Sequence, residues 1–522
     1  MAPFLLLLFT ILLSFSLYYL FFSKKRSCAL RLPPGPKGWP ILGNLPQLGP
    51  KPHHTLRTLS EAHGPLFRLR FGSVDVVVAS SAAVAAQFLK AHDANFSNRP
   101  PNSGAEHIAY SYRDLVFAPY GARWRALRKL CALHLFSGKA LDDLRPIRAH
   151  EVGLMVRSLA RWPGGSGGGS SAAAAAAVNV GEAANICATN ALARALLGRP
   201  VFEEREEARE FKEMVVELMR LAGVFNVGDF VPWIAWLDPQ GVVKKMKRLH
   251  RRYDEFLDRL IAERRREEAV GGGDFLGALL SLTDQEPAGG QEEGRITDTD
   301  VKALLLNLFT AGTDTSSSTV EWALAELIRH PEILKQAQLE LDSVVGRTRI
   351  VSESDLPNLP TLQAIIKETF RLHPSTPLSL PRIAAEACEI DGYCIPKRAT
   401  LLVNVWAIAR DPAIWPDPLK FRPARFLPGG RHENVDVKGS DFELIPFGAG
   451  RRICAGLSLG LRMVQLMTAT LVHAFDWTLP DGQPPEKLDM EEAYGLTLQR
   501  AVPLVARPVP RLLPEAYVSI MQ

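Results

Sequence analysis

Cys454 stands in a run, Phe447-Gly448-Ala449-Gly450-Arg451-Arg452-Ile453-Cys454-Ala455-Gly456, that combines a single thiol with glycines and arginines. A thiolate stays ionised only beside positive potential or N–H donors. An apolar, helix-patterned stretch over residues 457–474 follows at once, and the amides of its N-terminus supply both. Gly450 and Gly456 let the backbone close around the sulfur and against a flat macrocycle that a Cβ would obstruct. Arg452 would meet a haem propionate through charge-assisted hydrogen bonds. These are the parts of a haem-thiolate site, and a thiolate ligand favours O–O cleavage, so the chemistry is oxygen activation rather than oxygen storage. Taken alone, Cys454 reads as a buried free cysteine in a glycine-rich loop. Five fixed positions co-occur by chance about once in a million starts, and the full pattern reverses that reading.

The pattern Phe447-x-x-Gly450-x-Arg452-x-Cys454-x-Gly456 resembles the haem-binding signature of the cytochrome P-450 superfamily. Three further segments match that superfamily in order. Trp124 to Arg128 resembles its Trp-x-x-x-Arg helix, and Ala311-Gly312-Thr313-Asp314-Thr315-Ser316 its oxygen-activation motif. Glu368-Thr369-Phe370-Arg371, followed by Phe421-Arg422-Pro423-Ala424-Arg425-Phe426, resembles its Glu/Arg/Arg triad, with Ala424 where the family usually shows Glu. The likeness covers essentially everything after residue 30. It implies a mainly α fold with a small β-rich subdomain and an N-terminal transmembrane helix. It also implies haem b held by Cys454 as axial iron ligand, with Trp124, Arg128, Arg382, Phe447, Gly450, Arg452 and Gly456 around the cofactor. Asp314 and Thr315 are then the catalytic pair that relays protons through water beside Gly312, while Glu368, Arg371 and Arg425 hold the proximal side together.

The elements that must position these groups are legible in outline. Residues 301–327 read as one long helix. Its centre, from Gly312 to Thr319, is poor in helix propensity and rich in backbone-bonding hydroxyls, a run that opens the helix locally and admits water. Glu368 and Arg371 stand three apart and share a helical face. Short β-rich stretches at residues 66–69 and 74–78 give way to helical patterns from about residue 120 onward. Residues 161–177, a Gly/Ser and alanine tract, and the polar stretch 271–295 read as surface connections.

With 522 residues, 47% of them hydrophobic, the chain can bury a large core. A net charge of +5 is too modest for a nucleic-acid partner and suits an acidic protein partner. The six cysteines, at 28, 131, 187, 388, 394 and 454, include no Cys-x-x-Cys pair and read as reduced thiols facing the cytosol. None of the twelve histidines falls in a zinc or di-iron pattern, and a globin-like alternative would need a proximal His such as His134 or His373. Residues 4–22 are uncharged and apolar, and as a helix they would reach about 28 Å, the depth of a hydrocarbon core. Lys24, Lys25 and Arg26 follow and stay cytoplasmic by the positive-inside rule. The expected organisation is therefore a transmembrane anchor over 1–23, a basic and proline-rich hinge over 24–45 and a haem-thiolate monooxygenase domain over 46–522. That places the chain as a single-pass protein of the endoplasmic reticulum membrane. The aromatic segment 225–237 either dips into the bilayer or packs on the core.

The chain lacks a dinucleotide-binding glycine fingerprint, so NADPH electrons must arrive through a separate reductase, the NADPH-cytochrome P-450 reductase the resemblance implies. Arg123, Arg125, Lys129 and Arg451 are candidates for steering it, with cytochrome b5 as a further partner. For substrate, residues 102–110, 435–439 and 494–500 resemble plant flavonoid 3'-hydroxylases, which hydroxylate the B-ring of flavanones, flavones, flavonols or dihydroflavonols. The pocket residues that resemblance implies are Ile108, Tyr110, Phe117, Ala311, Leu378 and Thr497. A Thr at 497 matches the single-hydroxylation form. Alternatives are 5'-hydroxylation of a 3'-substituted flavone, a monooxygenase for another phenylpropanoid, a haem-thiolate isomerase or dehydratase, a haem carrier or sensor, and a membrane scaffold for flavonoid-pathway enzymes.

Overall fold

The computed structural model describes residues 9–10, 13–14, 31–160, 177–200, 205–267, 274–283 and 295–518. The anchor expected over 1–23 and most of the two surface connections lie outside these residues. Among the described residues no helix is long and apolar enough to cross a membrane.

Eleven helices of nine residues or more carry the described chain: α1 Pro52–His63, α2 Ala122–Cys131, α3 Arg145–Ala160, α4 Val180–Leu197, α5 Arg205–Ala222, α6 Val242–Glu267, α7 Phe275–Thr283, α8 Asp298–Arg329, α9 Pro331–Val344, α10 Pro360–Leu372 and α11 Leu457–Ala474. Helix α8 is buried over most of its length and packs on α4, α11 and α10. Its start is fixed by a capping box in which Thr297 and Asp300 satisfy each other's backbone amides. Contrary to the expected opening, α8 runs unbroken. The hydroxyls of Thr313, Thr315, Ser316 and Thr319 each donate to the carbonyl four residues back, which satisfies them without parting the helix.

A four-stranded sheet lies to one side. Strand β1 (Leu66–Phe71) turns at Gly72-Ser73 into antiparallel β2 (Val74–Ala79). Gly72 has φ +52°, and a Cβ there would lie 2.1 Å from the Phe230 carbonyl, so the turn must be glycine. Strand β4 (Thr400–Val403) joins β2 in parallel, and β3 (Arg382–Ile383) closes the edge. A two-stranded hairpin, β5 (Glu492–Ala493) and β6 (Gln499–Arg500), meets α8 from the C-terminal side.

Two expectations need correction. The hinge is no free-standing spacer beyond residue 33, because Arg68 N donates to Pro34 O at 2.7 Å and Gly43 bridges to Phe71. Cys394 is disulfide-bonded, while Cys131, Cys187, Cys388 and Cys454 are free. Sequence spacing does not reveal which thiols a fold brings together.

Candidate functional site

The Cys454 loop is shaped by its backbone. Cys454 N donates to Phe447 O at 3.0 Å, closing the loop on itself. Gly448 and Gly450 both sit at φ +70°, and a Cβ on Gly450 would lie 2.3 Å from Leu89 O. Gly456 differs: a Cβ there would make only an ordinary 3.6 Å contact with Phe136, so the protein around it does not demand glycine. It is the N-cap of α11, which puts Cys454 just ahead of that helix's amides. Cys454 is exposed to open space, yet the protein packed around its loop pushes the thiol up, while the Gly456 amide and Arg128 pull it back toward the thiolate. Ligation to a metal would complete that deprotonation.

Asp93 anchors this loop. Its carboxylate accepts from Arg451 N at 3.0 Å, Arg451 Nη1 at 3.1 Å and Arg382 Nη1 at 3.3 Å. Arg382 Nη2 donates to Ala449 O at 2.7 Å, and Arg128 Nη1 to Ile453 O at 2.9 Å. Arg452 donates to Ser97 O and Ala118 O, yet its Nη1 is buried with no partner. Burial, and then Arg382, push its guanidinium down to about 10. Burial lowers Arg99 well below its ordinary value, with Arg382 and Arg452 adding repulsion. Trp124 donates to Leu115 O and lies under two guanidiniums, 4.6 Å from Arg452 and 5.3 Å from Arg128. Crowded cations with an orphaned buried N–H fit the two carboxylates of a haem, which would relieve the repulsion and take the free donor. Sequence reasoning missed Asp93, Gly448 and Arg99; only Gly448, within the quoted motif, carried a visible signal.

On α8, Ala311 and Gly312 are exposed and Thr315 half-buried within an otherwise buried stretch, so one face looks onto open space. Asp314 points elsewhere. Its Oδ2 accepts from Thr497 Oγ1 at 2.6 Å and its Oδ1 from Gln499 Nε2 at 2.7 Å. Burial raises its carboxyl above the ordinary 3.8, and these two neutral donors oppose the rise. Gln499 was not anticipated.

Glu368 and Arg371 are fully buried and meet at 2.7 and 2.9 Å. Arg425 Nε adds a bond at 3.1 Å to the same carboxylate, and the Arg422 amide another at 2.8 Å. Arg371 also donates to the carbonyls of Ala409, Pro418 and Lys420, so no position is left for a partner at Ala424 to fill. His373 stacks on Trp322 at 3.9 Å and bonds Glu326 at 2.7 Å, which removes it from any role as an iron ligand. Among the described residues His53, His54 and Glu492 also converge, both imidazoles at 3.0 Å from one carboxylate oxygen. Trp406 holds the other oxygen, making an ordinary hydrogen-bonded hub.

A cavity of about 1240 Å³ opens between the sheet, the α5–α6 connection and the β5–β6 hairpin. Phe117 and Leu378 line it, together with Phe225, Asp229, Phe230 and Leu496. Ile108, Ala311 and Thr497 do not line it, and Ile108 and Thr497 are buried. Tyr110 is turned away: its hydroxyl donates to Asp254 at 2.9 Å and its ring meets His250 beside a separate surface depression. Of the steering candidates, Arg451 is held by Asp93 and Arg123 stands 3.6 Å from Asp300. In the aromatic segment, Trp233 and Trp236 are 58% and 80% exposed, which excludes the core-packed alternative for both.

Comparison with known proteins carries the same signature. The cytochrome P450 family model matches residues 33–503. A flavonoid 3'-monooxygenase of Crocosmia x crocosmiiflora is 68% identical over 512 residues, 97% of this chain and 98% of that one. A flavonoid 3'-monooxygenase of Oryza sativa subsp. japonica is 71% identical over 495 residues, 93% of this chain and 92% of its own. A flavonoid 3',5'-hydroxylase of Crocosmia x crocosmiiflora is 59% identical over 521 residues, 97% and 96% of the two chains. With a hydroxyl-rich central helix, a buried arginine cluster and a thiol loop on a chain that the family model matches over residues 33–503, the protein belongs to the cytochrome P450 family.

Proposed function

We propose that this chain is a haem-thiolate monooxygenase that hydroxylates the flavonoid B-ring, at the 3' position, with electrons from NADPH delivered by a separate reductase. The observation that carries the chemistry is the Cys454 loop facing an arginine cluster with a buried, unpartnered Nη1 on Arg452. The substrate follows the relatives, since those at 68% and 71% identity are flavonoid 3'-monooxygenases. The 59% relative keeps 5' attack on an already substituted ring as a second outcome.

Haem bound through Cys454 supplies oxygen activation. The chain's own residues do the rest. Cys454 would supply the thiolate that holds the iron, its charge favoured by the Gly456 amide and Arg128. Arg452, Arg382, Arg99 and Arg128 would bind the acidic edge of the cofactor. Asp314 holds a proton near neutrality more readily than an ordinary aspartate, because burial raises its pKa. Thr315 donates to Ala311 O at 2.8 Å, which leaves its oxygen lone pairs to accept from water. Phe117, Leu378 and Leu496 present an apolar wall that orients an aromatic ring and excludes water.

The protein works at the endoplasmic reticulum membrane, held by the apolar N-terminus, with lipid also contacting the exposed Trp233 and Trp236. Cytochrome b5 and other flavonoid enzymes are candidate neighbours. Microsomes carrying the chain, given a flavanone and NADPH, should add one oxygen to the B-ring, read by mass and by chemical comparison with the 3'-hydroxy product. Loss of every flavonoid conversion in a preparation with intact thiolate-ligated haem would overturn the substrate and leave the oxygenase class.

A further inference from the structure

The wall of the 1240 Å³ cavity holds two carboxylates, Asp75 and Asp229. Asp75 is paired with Arg68. Asp229 has no ion pair among the described residues, and the charges nearest in influence include Glu106 rather than a cation. Both of its contacts with Ser103, from the backbone amide at 3.0 Å and from the hydroxyl, go to Oδ1. The Asn226 amide, which donates to Ser103 Oγ at 2.9 Å, completes the polar cluster. The Asn226 amide also favours the ionised carboxylate, so Asp229 is met by neutral donors alone; half-buried beside Phe225, Phe230, Leu221, Val224 and Met246, it has no cationic partner among the described residues and keeps lone pairs for a further donor.

We propose that Asp229 is a specificity-determining residue that accepts a hydrogen bond from a phenolic hydroxyl on the flavonoid A-ring. The inference rests on the flavonoid reading above. Geometry selects the ring: Asp229 sits by the Gly72-Ser73 turn and Ser103, on a wall to which no residue of the Cys454 loop contributes. A substrate with its B-ring toward Cys454 therefore brings its A-ring to this end. Chemistry selects the hydroxyl, because in a flavanone the 5-hydroxyl is engaged by the neighbouring C4 carbonyl and the 7-hydroxyl is free to donate. A phenol donating to a carboxylate makes a charge-assisted bond, which an ether at the same position cannot make.

The test is calorimetric titration of the purified holoenzyme with naringenin and with its 7-O-methyl ether, for wild type, Asp229→Asn and Asp229→Glu. Asparagine keeps an oxygen to accept from Ser103, so the local fold is preserved while the charge is lost. The expected result is that wild type binds naringenin about tenfold tighter than the ether. In Asp229→Asn the ratio falls toward one, mainly through weaker naringenin binding, and Asp229→Glu restores part of it. A ratio unchanged in Asp229→Asn, with both ligands weakened alike, would overturn the proposal and make Asp229 a structural cap. Equal wild-type affinities for the two ligands would also overturn it. Wild type that binds neither flavanone would overturn the flavonoid reading and this inference with it.

Discussion

Glu368 and Asp314 are both buried carboxylates on helices that flank the candidate haem site, and they are held in opposite ways. Glu368 faces two guanidiniums and a backbone amide, and both Arg371 and Arg425 also donate to carbonyls nearby. Asp314 faces only neutral donors, Thr497 and Gln499, and burial raises its pKa. The first arrangement fixes charge and shape; the second keeps a proton within reach. Removal of each group should therefore fail in a different currency: stability for Glu368, proton delivery for Asp314.

The largest effect is expected for Glu368→Ala. It strands the buried guanidiniums of Arg371 and Arg425 and should cost about 3–5 kcal/mol, read as a lower denaturant midpoint and loss of correctly ligated protein. A loss of turnover with stability intact would break the comparison from one side. Asp314→Asn should do the reverse, lowering turnover about a hundredfold at neutral pH with little loss of folded protein. Because the folded-state pKa of Asp314 is raised, its ionisation opposes folding. Wild type should therefore lose stability relative to Asp314→Asn as pH climbs from the ordinary carboxyl value of 3.8 through the raised one. Parallel stability curves over that range would contradict the assignment.

Thr497→Val tests the neutral donors themselves. Its hydroxyl favours the ionised form, so its removal should move the limb of the pH–rate profile governed by Asp314 upward by about one pH unit. Thr497→Ser should leave the limb in place. The smallest effect on stability belongs to the double change of Trp233 and Trp236 to Ser, within about 0.5 kcal/mol, because both rings are exposed. Membrane retention of an anchor-deleted form should nevertheless fall, and unchanged retention would end the lipid-contact reading.

The same contrast explains what the sequence made visible. Glu368 and Arg371 stand three apart on one helix, and Cys454 sits in a compact motif, so short-range spacing was enough to pair or place them. Helix α11 begins where the apolar run begins, because burial follows that pattern directly. Asp314 and Gln499 are 185 residues apart, and Arg451 and Asp93 358. No local periodicity reports such contacts; they arise when a hairpin or a loop is laid across a helix. Tyr110 shows the other limit. It falls in a segment resembling known hydroxylases, but its side chain turns toward Asp254 and away from the cavity, and orientation at a left-handed residue, φ +49°, cannot be counted from neighbours. The unbroken α8 shows that hydroxyl-rich sequence weakens helix propensity without breaking a helix that is buried on nearly every side.

Everything assigned to the site depends on sulfur 454 ligating iron, and one spectrum tests it. The dithionite-reduced holoprotein exposed to carbon monoxide should show the strongly red-shifted Soret band of thiolate-ligated haem, and Cys454→Ala should lose it. A wild-type band at the position given by histidine-ligated haem, or a red-shifted band that survives in Cys454→Ala, would contradict the account.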